Sequence, residues 1–241
     1  MTGTLFLIPN TLGDTETLAS VLPEQVQQLT SQLDYFVAEN AKTARAFLKL
    51  VHARHPLAKP LQEIRIAELN VNTPASALTG LLQPLLDGQD GGLVSEAGVP
   101  AVADPGADLV RLAHQHGIPV RPLVGPSSLL LAVMASGLNG QSFAFNGYLP
   151  TDAAQRATRI KELEQRSRKE KQTQLFIETP YRNGAMLEAL STACAPGTLI
   201  CVATDLSLPS ETIRTMTAAK WKSAAAPDFH KKPTVFLLLG Q

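Results

Sequence analysis

The chain has 241 residues, 44% of them hydrophobic and 17% charged, with 21 basic and 21 acidic side chains and a formal net charge of zero. That length supports one large domain or two small ones around a packed core, and the hydrophobic share excludes disorder as the default. The charge balance argues against a free-standing nucleic-acid binder, which is usually basic overall, but leaves room for a local basic patch.

The N-terminal residues read directly into a strand over 4–8, with no basic leader segment before it, and the strand ends at Pro9. A strand over 35–38 leads into a helix over 43–51. Pro74 opens a helix that runs to about Asp87, since proline is tolerated in a first turn. Asp90, Gly91 and Gly92 read as a turn before a strand over 93–94. A helix over 107–116 stops at Gly117, and a strand over 120–124 is closed by Gly125 and Pro126. This alternation predicts an α/β domain with a largely parallel sheet.

The second half opens with a helix from Ser127 to Ser136, stopped by Gly137. A short strand over 143–145, a long charged helix over 152–171, a strand over 175–177 and a helix over 185–193 follow. Further strands are expected over 199–203, 212–216 and 235–239. The last is apolar on both faces and is expected in the middle of its sheet. The boundary between halves is placed near Gly125, giving an N-terminal α/β lobe over 1–124 and a C-terminal α/β lobe over 125–241. Cys194 and Cys201, without zinc spacing or further cysteines, read as small buried side chains. No apolar run approaches the roughly 18 residues of a membrane span, so a cytoplasmic protein is expected.

Charge is unevenly distributed. Residues 1–41 carry five acids and no Lys or Arg, residues 42–59 five bases and no acid, residues 66–110 six acids and no Lys or Arg, and residues 152–171 a net +3. Such blocks are often solvated faces. The alternative is that the 42–59 block and the 156–171 helix flank an anionic substrate.

Two segments at predicted strand ends carry the chemistry. The first, residues 95–106, runs Ser-Glu-Ala-Gly-Val-Pro-Ala-Val-Ala-Asp-Pro-Gly directly after a buried strand. Small residues let backbone approach a ligand, prolines fix the loop, and ligands in open α/β sheets bind outside the carboxyl ends of strands. The second, Pro122-Leu123-Val124-Gly125-Pro126-Ser127-Ser128, joins a strand to a helix that Ser127 can cap. Neither is a dinucleotide fingerprint or a P-loop.

Together these segments resemble the tetrapyrrole methylase superfamily, and within it the ribosomal RNA small-subunit methyltransferase I family, which methylates a cytidine ribose 2′-hydroxyl of 16S rRNA. Weaker matches are Gly3-Thr4-Leu5, Leu12-Gly13-Asp14, Ala38-Glu39-Asn40 with Thr43 and Arg45, Gly147-Tyr148-Leu149-Pro150, and residues 176–182. The resemblance covers nearly the whole chain. It implies two α/β lobes of a class III methyltransferase, a homodimer, and S-adenosylmethionine in the cleft between the lobes, with the acceptor side in the N-terminal lobe and the cofactor side in the C-terminal one. Carried over residue by residue, it implies cofactor contacts at Pro9, Ala97, Gly98, Val99, Val102, Ser127, Ser128, Glu178, Leu206, Pro233 and Thr234. The chain departs from the family in a first loop one residue shorter and lacking its first glycine. Asn40 replaces an Asp, Thr204-Asp205 an Arg-Glu pair, and Tyr181 a common His.

A ribose hydroxyl must lose its proton on methylation, so a base within reach would help. Glu39, Asp104 and Glu178 are the candidates, each also readable as a cap, a turn residue or an ion-pair partner. Arg45 and Arg182 are candidates for holding phosphate. The leading expectation is a 16S rRNA ribose 2′-O-methyltransferase acting on the small ribosomal subunit. The alternatives are a methyltransferase for a small molecule such as a tetrapyrrole, although none of the five histidines sits in a family motif, and a non-catalytic cofactor-binding protein.

Overall fold

The structure is a computed structural model, described here over residues 1–13 and 18–241; Asp14 of the first-loop motif lies outside the described residues. Two units partition the chain, Met1–Ser127 and Ser128–Gln241.

In the first unit the elements run β1 (Leu5–Ile8), α1 (Leu18–Val21), α2 (Glu24–Gln32), β2 (Tyr35–Ala38), α3 (Ala41–His52), β3 (Arg65–Glu68), α4 (Leu78–Leu86), β4 (Gly91–Val94), α5 (Ala107–Gln115) and β5 (Val120–Pro122). The strands form one parallel sheet in the order β3-β2-β4-β1-β5. Side chains alternate across a strand, and the alternation sorts the core into two layers. Leu5, Tyr35, Val37 and Leu93 pack with Leu82, Leu85 and Leu109 of α4 and α5. Phe6, Ile8, Phe36 and Val94 pack on the other face with Leu18, Leu22, Phe47 and Leu48. The connections out of β1 and β2 therefore cross one face, and those through α4 and α5 cross the other.

Three local readings change. Gly91 and Gly92 are not a turn but the first half of β4. A Cβ on Gly92 would lie 2.5 Å from Ile8 Cδ1 and 2.9 Å from Phe36 Cδ1, and one on Gly91 2.9 Å from Tyr35 Cδ1, so the glycines let large neighbours close over a central strand. The helix expected from Pro74 starts as a 3-10 turn, Ala75–Ala77, before α4. The strand expected over 120–124 stops at Pro122.

The second unit runs α6 (Ser128–Ser136), β6 (Phe143–Tyr148), α7 (Ala153–Glu170), β7 (Thr173–Ile177), α8 (Asn183–Ala193), β8 (Leu199–Thr204), β9 (Thr212–Thr217), α9 (Ala218–Trp221) and β10 (Thr234–Leu239). The sheet order is β6-β7-β10-β8-β9. Only β6 and β7 pair in parallel; β10 is antiparallel to β7 and β8, as is β8 to β9. The apolar last strand is central, as its composition predicts, and Phe236 stacks on Phe176 with ring centroids 6.1 Å apart. Asp152 caps α7 by accepting from the Gln155 amide at 2.9 Å, and Lys171 closes it in the left-handed region at φ 50°. Cys194 and Cys201 are buried and unpaired; burial is the main cause that pushes the Cys194 thiol up to about 12. Among the described residues no helix is long and apolar enough to cross a membrane.

Candidate active site

At the carboxyl end of the first sheet, β1 and β4 are neighbours whose onward connections cross opposite faces. Such a switch point is where open α/β sheets bind ligands. The loop after β4 occupies it, tied to the loop after β1 by Asn10. The Asn10 amide donates to the Gly98 carbonyl at 2.8 Å, its Nδ2 donates to the Ser95 and Glu96 carbonyls at 3.3 and 3.1 Å, and its Oδ1 accepts from the Thr11 amide. Asn10 is 5% exposed. The sequence does not single out Asn10; its polar side chain beside Pro9 is the signal it offers.

The loop backbone is unusual. Gly98, Ala101, Ala103 and Gly106 all have positive φ, at 69°, 64°, 64° and 131°. For the two alanines this costs roughly 1–2 kcal/mol each. Among the described residues no hydrogen bond takes up the backbone N–H of Ala97 or Val99. The loop lies against the 122–128 segment: a Cβ on Gly98 would lie 3.5 Å from the Pro126 carbonyl, and one on Gly125 would overlap the Pro9 ring at 2.2 and 2.4 Å. The structure therefore gathers Pro9, Gly98 and the backbone leading to Ser127. Val99 is half-buried and Val102 47% exposed. Ser128 is the first residue of α6 and Ser127 immediately precedes it.

Three carboxylates flank the loop. Burial pushes Glu39 up, with further repulsion from Asp104 and Glu96. Burial also pushes Asp104 up, as does Glu96, against a hydrogen bond with Ser95. Glu96 Oε1 accepts from Thr43 Oγ1 at 3.2 Å. Asn40 caps α3, accepting from the Lys42 and Thr43 amides at 2.8 and 3.3 Å. Beside Asp104 a cavity of about 440 Å³ opens between the loop after β3 and residues 103–109, a volume within the usual range for small-ligand pockets.

The raised carboxyls have a consequence for stability. A folded-state pKa above the unfolded one means that the native state holds its proton longer. Stability is then lost as pH rises from the ordinary carboxylate range through the raised value. Asp104→Asn is expected to be more stable than the parent at neutral pH and to lose that advantage in acid below the carboxylate range. Urea denaturation at pH values on either side of that window measures it, and an equal difference at both would refute the assignment.

In the second unit, the ends of β7 and β8 and the start of β10 lie at one edge, because Val235 pairs with Ile177 and Thr234 with Thr204. That register brings Glu178, Leu206, Pro233 and Thr234 together. The Thr204 and Thr234 hydroxyls are 3.1 Å apart. Asn183, which the sequence did not single out, donates from Nδ2 to the Phe229 and Lys232 carbonyls and to Thr234 Oγ1 at 2.8, 2.9 and 3.1 Å. Its buried Oδ1 has no hydrogen-bond partner among the described residues. Asp205, in the left-handed region at φ 52°, accepts from Ser210 Oγ at 2.8 Å and lies 3.6 Å from Lys232 Nζ.

Glu178 and Arg182 do not stand free as base and phosphate ligand. Arg182 Nη2 lies 2.5 Å from Glu178 Oε1, and the Glu178 side chain is 1% exposed. The same oxygen accepts from the Thr179 amide at 2.7 Å. This carboxylate is held by a buried ion pair, so Glu39 and Asp104 are the two of the three acids left without an ion-pair partner among the described residues. Arg45 is exposed on α3, its Nη1 3.5 Å from the Ala41 carbonyl.

Residues 21–221 match the family described as Tetrapyrrole (Corrin/Porphyrin) Methylases. The chain belongs to this family. The methylase is accordingly a methyltransferase, and its relatives narrow the field. It is 29% identical over 239 residues to Ribosomal RNA small subunit methyltransferase I of Xylella fastidiosa, covering 99% of this chain and 81% of that protein. It is 33% identical over 183 residues to the protein of the same name from Vibrio cholerae, covering 72% of this chain and 62% of that protein. Among solved structures, the methyltransferase CobJ matches with a TM-score of 0.63 and 18% identity, over 99% of this chain and 95% of that one. The cobalt precorrin-4 methyltransferase CbiF matches with a TM-score of 0.59 and 16% identity, over 98% of this chain and 94% of that one. These two share the methylase's fold.

Proposed function

We propose that this methylase uses S-adenosylmethionine to methylate a ribose 2′-hydroxyl of small-subunit rRNA. The observation that carries the reading is the loop over 95–106 at the switch point, whose backbone donors and small side chains suit a nucleoside and an amino-acid carboxylate. The rRNA part rests on relatives named Ribosomal RNA small subunit methyltransferase I at 28–34% identity. The tetrapyrrole alternative is supported by the description of the family the chain matches and by fold likeness at 16–18% identity.

The residues fit the cofactor chemically. Ala97 and Val99 offer N–H donors, Gly98 and Pro9 shape the loop, and Ser127 and Ser128 add hydroxyls. In the second unit Leu206 and the Pro233-Thr234 backbone are the proposed contacts, with Asn183 Oδ1 an acceptor unspent among the described residues. When bound, the cofactor supplies an electrophilic methyl group on a sulfonium. The chain's own part is to position the ribose, exclude water, and accept the hydroxyl proton on Glu39 or Asp104. Carboxyls raised by burial are closer to the pKa a base needs near neutral pH. We also propose a homodimer, supported by the exposed apolar residues Leu130 and Met134 on α6 and Phe143 and Tyr148 on the edge strand β6.

The test is incubation of the protein with methyl-labelled S-adenosylmethionine, small ribosomal subunits and, separately, porphyrin precursors. Label is expected at one alkali-resistant position in the rRNA. Label in a porphyrin precursor, or cofactor binding by calorimetry with no turnover on any acceptor, would reject it.

A further inference from the structure

The basic block over 42–59 resolves into two kinds of residue. Lys59 forms an ion pair with Asp34, and Arg54 Nε donates to Gln27 Oε1 at 3.0 Å; both hold the unit together. Lys42, Arg45 and Lys49 differ. All three are exposed on α3, and among the described residues no carboxylate pairs with any of them. Their spacing of three and then four residues puts them on one helical face, and exposed His52 continues it three residues on. From Lys42 to His52 the stripe is about 15 Å long at 1.5 Å per residue.

The stripe begins at the candidate site. α3 starts two residues after Glu39, and Thr43 Oγ1 donates to Glu96 in the loop at the switch point. The Glu39, Glu96 and Asp104 carboxylates at that edge would repel a polyanion unless something draws it in. A row of unpaired cations running outward from that edge supplies the attraction.

We propose that Lys42, Arg45 and Lys49, extended by His52, form a track for the phosphate backbone of single-stranded RNA whose reacting nucleotide sits at the carboxyl end of the first sheet. The inference rests on the rRNA reading and adds the surface that holds the RNA. Phosphate contacts of this kind give affinity without sequence preference, and each is read in the salt dependence of binding.

The test compares the full-length parent, the K42Q/R45Q/K49Q variant, and a control R111Q/K220Q/K222Q that removes the same charge from exposed positions outside the 42–59 block and the 156–171 helix. Binding to a mixed-sequence single-stranded RNA is measured by fluorescence anisotropy over a series of salt concentrations. With about 0.7 per phosphate contact on single strands, the slope of log K against log salt should fall by about 2 in the α3 variant and stay unchanged in the control. Unchanged thermal stability and S-adenosylmethionine affinity show that the α3 variant is folded. An unchanged slope in the α3 variant, or an equal loss in the control, overturns the proposal. So does a loss of binding to phosphatidylglycerol vesicles with RNA binding intact, which would make the stripe a lipid surface. If the parent labels rRNA and the α3 variant labels it equally well with the same apparent KM, the track fails while the methyltransferase reading stands. If the parent binds RNA through the stripe but never labels rRNA, the methyltransferase reading fails alone.

Discussion

Gly125→Ala is expected to destabilise the first unit by about 1–3 kcal/mol, the usual range for overpacking, and to weaken S-adenosylmethionine binding at least about tenfold, a difference of 1.4 kcal/mol. The added Cβ would lie 2.2 and 2.4 Å from Pro9 Cγ and Cβ, and 2.9 Å from Leu22 Cδ2. The leucine can rotate away, but the proline ring cannot. Relief has to come from backbone, by moving either the loop after β1 or the 122–128 segment. Both lie against Gly98 and Asn10, so either shift opens the proposed cofactor loop. Gly197→Ala, where an added Cβ would have no neighbour within 4 Å, is the control. Chemical denaturation and calorimetry read the two effects. Parental cofactor affinity in a folded Gly125→Ala variant would show that Pro9 and Gly125 do not shape the site.

Arg182→Ala should cost about 1.5–3 kcal/mol, because it strips a charged hydrogen-bond partner, itself one-third exposed, from a buried carboxyl. The Glu178 side chain is 1% exposed, and among the described residues its partners are the guanidinium 2.5 Å away and the adjacent Thr179 amide. The paired variant Glu178→Gln with Arg182→Met should recover much of the loss, since an amide needs no counter-ion. A pair that contributed only surface electrostatics would lose less than about 1 kcal/mol. That outcome in urea denaturation would mean that the ion pair does not position the end of β7. A large loss in Arg182→Ala without recovery in the double variant would point to packing of the arginine stem instead.

Much of the fold was legible from periodicity. Short continuous apolar runs marked β1 and β2, and the fully apolar run over 235–239 announced a central strand. α2 was not legible, because its nine residues include four glutamines and only two aliphatic side chains. It is held instead by buried polar groups, Gln27 donating to the Leu22 carbonyl at 2.8 Å and Thr30 to the Val26 carbonyl at 2.7 Å. β3 escaped for the opposite reason. It is an edge strand paired only with β2, and its Arg-Ile-Ala-Glu sequence is charged at both ends.

The family was legible through the resemblance of the motifs at 93–106 and 122–128; the strand-helix alternation and the small-residue loops at the strand ends were determined by the sequence itself, because these depend on local backbone preferences and on periodicity along the chain. Only the tertiary structure decided which charges are free. Glu178 and Arg182 are four residues apart and looked like two separate ligands until burial paired them. Spacing alone did not tell Lys59 and Arg54 from the other bases over 42–59; Asp34 and Gln27, from other elements, engage those two. Partnership of this kind is set by which strand lies beside which and by how much water is left between them, and neither is written in the spacing of residues along the chain.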